Sequence, residues 1–169
     1  HLISFLKGNP TTGSLKAGIG VLISLLISYL ISNNILDIIV NTLLIALFTN
    51  YNNIFDLRPG RSIKAFIFAS IALLLTREIN KYDYLIYSFY GLLLIYFPID
   101  LKAKAMMGDA GSNVLGITLG IYCTLSCGVI SKSIYLLMLI IVHIIAEKYS
   151  FTKIIDSNKI LKFIDNLGR

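Results

Sequence analysis

Six stretches of the chain run without a charged side chain: 17–36, 38–55, 65–76, 84–99, 110–131 and 133–146. A bilayer core is crossed by about 20 apolar residues in helical form, because backbone polar groups find no water there and must bond within the segment. The first, second and fifth stretches reach that length and the fourth nearly does. The third and sixth reach it by borrowing Lys64, or Glu147 and Lys148, whose aliphatic stems lie in the apolar layer while the charges reach the headgroups. The expectation is an all-α, polytopic integral membrane helix bundle forming one domain over residues 1–169. It has a cytoplasmic loop at 1–16, six transmembrane helices within 17–148 and an amphipathic tail at 149–169. Composition agrees: 14% charged residues are too few to cover the surface of a soluble domain of 169 residues, and 56% are hydrophobic.

Alternate loops of a six-span bundle fall on alternate sides, so the cations can be tested against the topology. Twelve of the fifteen Lys and Arg residues fall on the side that holds both ends, and only Arg77, Lys81 and Lys132 on the other. That asymmetry predicts a multi-pass protein of the cell membrane with both ends cytoplasmic. It also explains the net charge of +6 as a surface facing anionic lipid, with no need for a nucleic-acid partner. No charged leader followed by a small-residue cleavage site precedes the first stretch, and His1 reads as an internal start. Cys123 and Cys127 lie in an apolar run and read as small core or lipid-facing residues.

The tail, "YSFTKIIDSNKILKFIDNLGR", spaces Phe151, Ile154, Ile155, Ile160, Leu161, Ile164 and Leu167 near helical periodicity, with Lys153, Lys159 and Lys162 between them. This predicts a basic amphipathic helix on the inner leaflet, with a solvated helix packed on a partner as the alternative.

The two sets of loops differ in chemistry. The outward ones, at 32–34, 77–83 and 131–133, are short and share no pattern. The inward ones, at 7–18, 50–64 and 100–112, gather glycines and carboxylates, and polar residues collected at one end of a membrane bundle are where function is expected. In the second inward loop Asn50, Asn53 and Asp56 recur every third residue, on one face of a helix end. Arg58, Arg61 and Lys64 follow, and the arginine fork suits phosphate. A capped helix end followed by membrane anchors explains the same residues. In the third loop Gly108 and Gly111 bracket Asp109 where a helix begins. Such an acid can hold a hard divalent cation such as Mg2+, bridged to substrate phosphates, or can cap the helix. The first loop carries Lys7, Pro10, Thr11 and Gly13 and by itself indicates only a turn before a helix.

Taken together, "KGNPTTGS", "NYNNIFD" and "KAMMGDAGSNVLG" resemble, in order and on one side, three cytoplasmic signatures of the polyprenyl-phosphate N-acetylhexosamine-1-phosphate transferases. This is the family of phospho-MurNAc-pentapeptide translocase and the GlcNAc-1-phosphate transferases, also filed as glycosyltransferase family 4. The resemblance implies Mg2+-dependent transfer of a sugar-1-phosphate from a UDP-N-acetylhexosamine to undecaprenyl phosphate, with release of UMP, in cell-envelope glycan synthesis. It implies that Asp109 and Asp56 are the catalytic, metal-binding acids. Asn50 and Asn53 would contact the nucleotide-sugar. Lys104 matches a basic residue kept before the third signature, and Lys7 falls where the family has a basic residue near the lipid phosphate. Arg58, Arg61 and Lys64 would neutralise phosphates, and a homodimer is compatible with this reading.

The chain also departs from the family. The second signature usually continues as D-G-x-D-G, whereas here Asp56 is followed by Leu57, Arg58, Pro59 and Gly60. An adjacent Asp-Asp pair, a helix–loop–helix between the first two signatures and a histidine-rich loop are missing. A further helix is expected ahead of His1. His143, inside the last stretch, reads as packed or bonded to a backbone carbonyl. The departures keep a second expectation open, a non-catalytic descendant that binds polyprenyl phosphate or a nucleotide-sugar as a regulator or subunit. A small transporter or scaffold is the third reading, disfavoured because no charge ladder runs inside the helices.

Overall fold

The structure, a computed structural model, describes residues 12–168, and every regular element among them is a helix. Six long helices come first: α1 (Thr12–Ile31), α2 (Ile35–Phe55), α3 (Arg61–Thr76), α4 (Tyr84–Leu101), α5 (Gly108–Ser126) and α6 (Val129–Lys148). Two short ones, α7 (Phe151–Ser157) and α8 (Lys159–Asn166), make the tail. The all-helical expectation therefore holds. Three helices, α2, α4 and α6, are long and apolar enough to cross a membrane. Their outward faces are bare hydrocarbon: Leu94 on α4 is 79% exposed and Ile130 on α6 is 77% exposed. Apolar surface on that scale is expected of a membrane-associated chain.

Two boundaries differ from the sequence expectation. The uncharged stretch 110–131 is not one helix, because the chain breaks at Cys127 and Gly128, and "SKS" at 131–133 lies in the first turns of α6. Glu78 lies against Gly128 where a side chain would project, and Ser126 O accepts from the backbone N–H groups of Glu78 and Ile79. The α3–α4 connection thus packs onto the break, a tertiary contact that hydropathy does not register. The tail is likewise two helices, divided at Asn158, which takes an extended backbone and accepts at its side chain from the N–H groups of Ile160 and Leu161. This is an N-cap, and it restarts the helix in a new direction.

Helix α2 is the hub, packing most extensively on α5 and also on α1, α3 and α6. Leu44 and Phe48 of α2, Ile63 and Phe66 of α3, and Leu115, Leu119 and Tyr122 of α5 form the centre of the core. Helix α5 falls short of a spanning composition because it is built from Gly, Ser and Thr. Those small residues face protein: Ser112, Gly116, Thr118, Gly120 and Thr124 are all buried. Small residues four apart let two backbones touch, which is how membrane helices gain packing energy where lipid gives no hydrophobic drive. A Cβ on Gly116 would lie 2.5 Å from Thr49 Cα, and one on Gly120 2.6 Å from Ile45 Cα. Neither neighbour is a side chain that can swing away. Gly116→Ala and Gly120→Ala are each expected to separate α2 from α5 and to cost roughly 1–3 kcal/mol, read as a lower midpoint of thermal unfolding in detergent. An unchanged midpoint would mean that the two helices are less tightly apposed.

Several other polar groups in the bundle find partners close by, although Ser28 Oγ, Asn52 Oδ1 and Ser126 Oγ are buried without a hydrogen bond. Asn41 donates to Ser32 across the α1–α2 turn at 2.9 Å. Tyr122 donates to Asp83 at 2.6 Å, and Asp83 also pairs with Arg77 at 3.0 Å. His143 Nδ1 lies 2.7 Å from the Leu139 carbonyl oxygen, the backbone partner expected of a lone helical histidine. Cys123 and Cys127 are buried free thiols.

Candidate functional site

The end of α2, the start of α3, the end of α4 and the start of α5 meet at one end of the bundle. Asn50 and Asn53 lie in the last turns of α2, and Asp56 caps that helix. Asn50 is exposed, whereas Asn53 faces α5 and accepts at Oδ1 from Ser112 Oγ at 3.1 Å. The three-residue spacing therefore yields one contact across the interface and one residue left to solvent. Asp109 lies in the first turn of α5, where a negative charge suits the free N–H groups. It is exposed and pairs with Lys16 of α1 at 2.7 Å. Lys16 belongs to the first inward loop as read from sequence, so side chains from all three inward loops meet here. Lys104 is exposed on the α4–α5 turn. Lys7 lies outside the described residues.

Two glycines give the site its shape. Gly108, at φ +65°, and Gly60, at φ +77°, both adopt left-handed backbone that a side chain would strain. The Gly108 N–H bonds to the Asp56 carboxylate, tying the end of α2 to the start of α5. The Gly60 N–H donates to Asp100 Oδ2 at 2.8 Å, tying the start of α3 to the end of α4.

Asp100 is the residue that sequence reasoning missed. It is 1% exposed, and its second oxygen, Oδ1, is buried without a hydrogen-bond partner. The available signal was an acid ending an otherwise uncharged stretch, nine residues before Asp109. Its effect is electrostatic. Asp56 is pushed up to about 6, first by burial, then by the negative charges of Asp100 and Asp109, against the Gly108 hydrogen bond that favours the ionised form. Three carboxylates, Asp56, Asp100 and Asp109, thus act on one another at this end of the bundle.

That shift has a consequence for stability. A carboxyl group titrating near 6 when folded and at 3.8 when free favours the folded state most below 3.8, and the advantage is lost as the pH rises through 6. Asp56→Asn is expected to remove the part of the pH dependence lying between those values, measured as unfolding temperature across pH 4–7. A slope that persists unaltered in the variant would assign it to other groups.

The donor set also bears on a metal. Among the described residues no group of three or more His, Cys, Asp or Glu side chains is arranged to hold an ion. Mg2+ does not require such a cage, since it commonly takes one or two carboxylates and completes its shell with water and substrate phosphates. Asp56 and Asp109 fit that mode, and the mutual repulsion raising Asp56 is what a divalent cation would relieve.

The cations following Asp56 have partners in the tail. Arg58 forms a two-pronged pair with Asp156 at 3.0 and 3.2 Å and lies 3.8 Å from Asp165. Arg61 meets Asp165 through two bonds of 2.8 Å, with both side chains 4% exposed, and also reaches Thr152. Lys64 donates to the carbonyls of Ile164 and Asp165 at the end of α8. Phe151 packs against Phe55 with ring centres 5.1 Å apart and planes tilted by 51°. The tail is thereby docked through its acidic residues, while Ile160 and Phe163 are about 70% exposed. Beside it an apolar groove of about 400 Å³ runs between Phe68 and Ile71 of α3, Phe97 and Leu101 of α4, and Ile164 and Leu167 of the tail, with Lys64 at its lip.

No family model, curated protein or solved structure matches the chain.

Proposed function

We propose that this chain is a shortened membrane phosphoglycosyltransferase that moves a sugar-1-phosphate from a UDP-N-acetylhexosamine to undecaprenyl phosphate, with Mg2+ as cofactor. The observation that carries the reading is the convergence of Asn53, Asp56, Asp109 and Lys16, residues of three separate loops, at one end of an apolar bundle. Six membrane spans with both ends cytoplasmic complete the proposal, supported by the cation asymmetry of the loops. The amphipathic tail would then rest on the inner leaflet, its exposed Ile160 and Phe163 turned to lipid.

In the proposed reaction an oxygen of the lipid phosphate bonds to the sugar-bearing phosphorus of the donor. The pyrophosphate P–O bond breaks, and UMP leaves with the electron pair. The lipid phosphate is mostly ionised near neutral pH, so the chain need not supply a dedicated base. What it must supply is position and compensating charge. Asn53, held by Ser112, and the exposed Asn50 offer amides to the donor. Asp56 and Asp109 would hold Mg2+, which when bound supplies charge neutralisation at the pyrophosphate. The groove beside Lys64 offers an apolar wall to a prenyl chain.

The test is UMP release by the purified chain in detergent or nanodiscs with undecaprenyl phosphate, Mg2+ and a panel of UDP-HexNAc donors. Release with one donor supports the enzyme. Mg2+-dependent binding of lipid or nucleotide without UMP from any donor supports the non-catalytic descendant. That second reading is favoured by one observation, the engagement of Arg58, Arg61 and Lys64 by the tail. Binding of neither ligand defeats both readings.

A further inference from the structure

The geometry points to an anion-exchange site at Arg58, in which the tail's Asp156 holds the place of a phosphate and gives way when one binds. The inference rests on the reading that the cations after Asp56 face phosphate.

Only two of the chain's nine acidic residues, Asp156 and Asp165, lie in the tail, and both are spent on arginines at the start of α3. A tail needed only for the membrane surface would be served by its lysines and apolar residues. Each acid meets its arginine through two parallel N–H···O bonds, the geometry in which a guanidinium also takes a phosphate.

The two pairs differ in burial, and burial divides their roles. Arg61 and Asp165 are 4% exposed, so separating them would strand a buried charge, and this pair is a fixed anchor. Arg58 and Asp156 are 36% and 39% exposed, so both can rehydrate on separation, and the pair can open without undocking the tail. Arg58 also sits two residues beyond Asp56, where the proposed donor pyrophosphate would lie. A doubly charged phosphate should outbid a carboxylate for its fork, while Asp165, at 3.8 Å, contributes only a weak second competitor.

Inorganic pyrophosphate with Mg2+ is the soluble probe, titrated onto the full chain in phosphatidylcholine nanodiscs. Asp156→Asn is expected to tighten binding about fivefold, the worth of one exposed ion pair, and Arg58→Gln to weaken it by at least tenfold. Unfolding temperatures should stay near wild type in both. The same pyrophosphate titration in nanodiscs doped with phosphatidic acid distinguishes a lipid phosphate as the source. If the lipid is the ligand, doping weakens pyrophosphate binding in wild type and loses that effect in Arg58→Gln. Unchanged pyrophosphate affinity in Asp156→Asn, or in Arg58→Gln, overturns the exchange and leaves Asp156 a structural staple. The outcome is separable from the proposed reaction. UMP release with no effect of Asp156→Asn would sustain the enzyme and sink the exchange. Tightened pyrophosphate binding without UMP from any donor would do the reverse.

Discussion

Arg61→Ala is expected to destabilise the chain by roughly 3–5 kcal/mol, the range for removing one partner of a buried ion pair. The loss would exceed that of a missing hydrogen bond, because Asp165 would remain 5% exposed with its guanidinium gone. Arg58 lies 3.8 Å away and cannot replace the two bonds at 2.8 Å. The tail should then lose its anchor, so limited proteolysis between residues 149 and 168 should accelerate as the unfolding temperature falls. Arg61→Lys should rescue little, since an ammonium cannot present the paired donors that Asp165 accepts. Replacing both partners, Arg61→Met with Asp165→Leu, should recover most of the stability, because no buried charge is then stranded. A loss in Arg61→Ala below about 1 kcal/mol, the level of an exposed pair, would show that the pair is solvated.

Asp109→Asn is expected to reduce UMP release by at least about 100-fold, comparable to removing one preorganised electrostatic contact to a transition state. Its effect on stability should be small. The carboxylate is 58% exposed, its partner Lys16 66% exposed, and a surface pair of this kind contributes about 1 kcal/mol or less. The contrast separates the two explanations of this residue. An acid that only favours the start of α5 would lower the unfolding temperature slightly and leave turnover intact. An acid that serves the reaction would do the opposite. Lys16→Met frees Asp109 without removing it, so activity in that variant should persist.

Much of the architecture was legible along the chain. The uncharged stretches located the six long helices to within a few residues, because a charge deep inside an apolar helix is costly. Lys16, Asp37 and Lys132 nonetheless lie inside helix ends, and the stretch 110–131 is divided at Cys127 and Gly128. Asn53, Asp56 and Asp109 were legible from local spacing and glycine punctuation. Asp100 was not, since its importance comes from a backbone N–H forty residues away in sequence and from burial that a loop-edge aspartate does not advertise. The role of Arg58, Arg61 and Lys64 was only half legible. Their charge, and the fork of the two arginines, could be read, but their partners lie about a hundred residues further on, in a tail whose two acids carry no spacing signal that points back to them. The close seat of α5 on α2 did leave a trace in sequence, the four-residue spacing of Gly116 and Gly120, but such spacing does not name the facing helix.

The sequence by itself determined that the chain is helical, apolar on its outward faces and polar at one end, because solvent preference and backbone satisfaction act residue by residue. Only the tertiary structure decided which helix sits in the middle, where an aspartate is stranded, and which cations the tail already holds. Those outcomes depend on which side chains meet, and a pair separated by a hundred residues leaves no periodic signal along the chain.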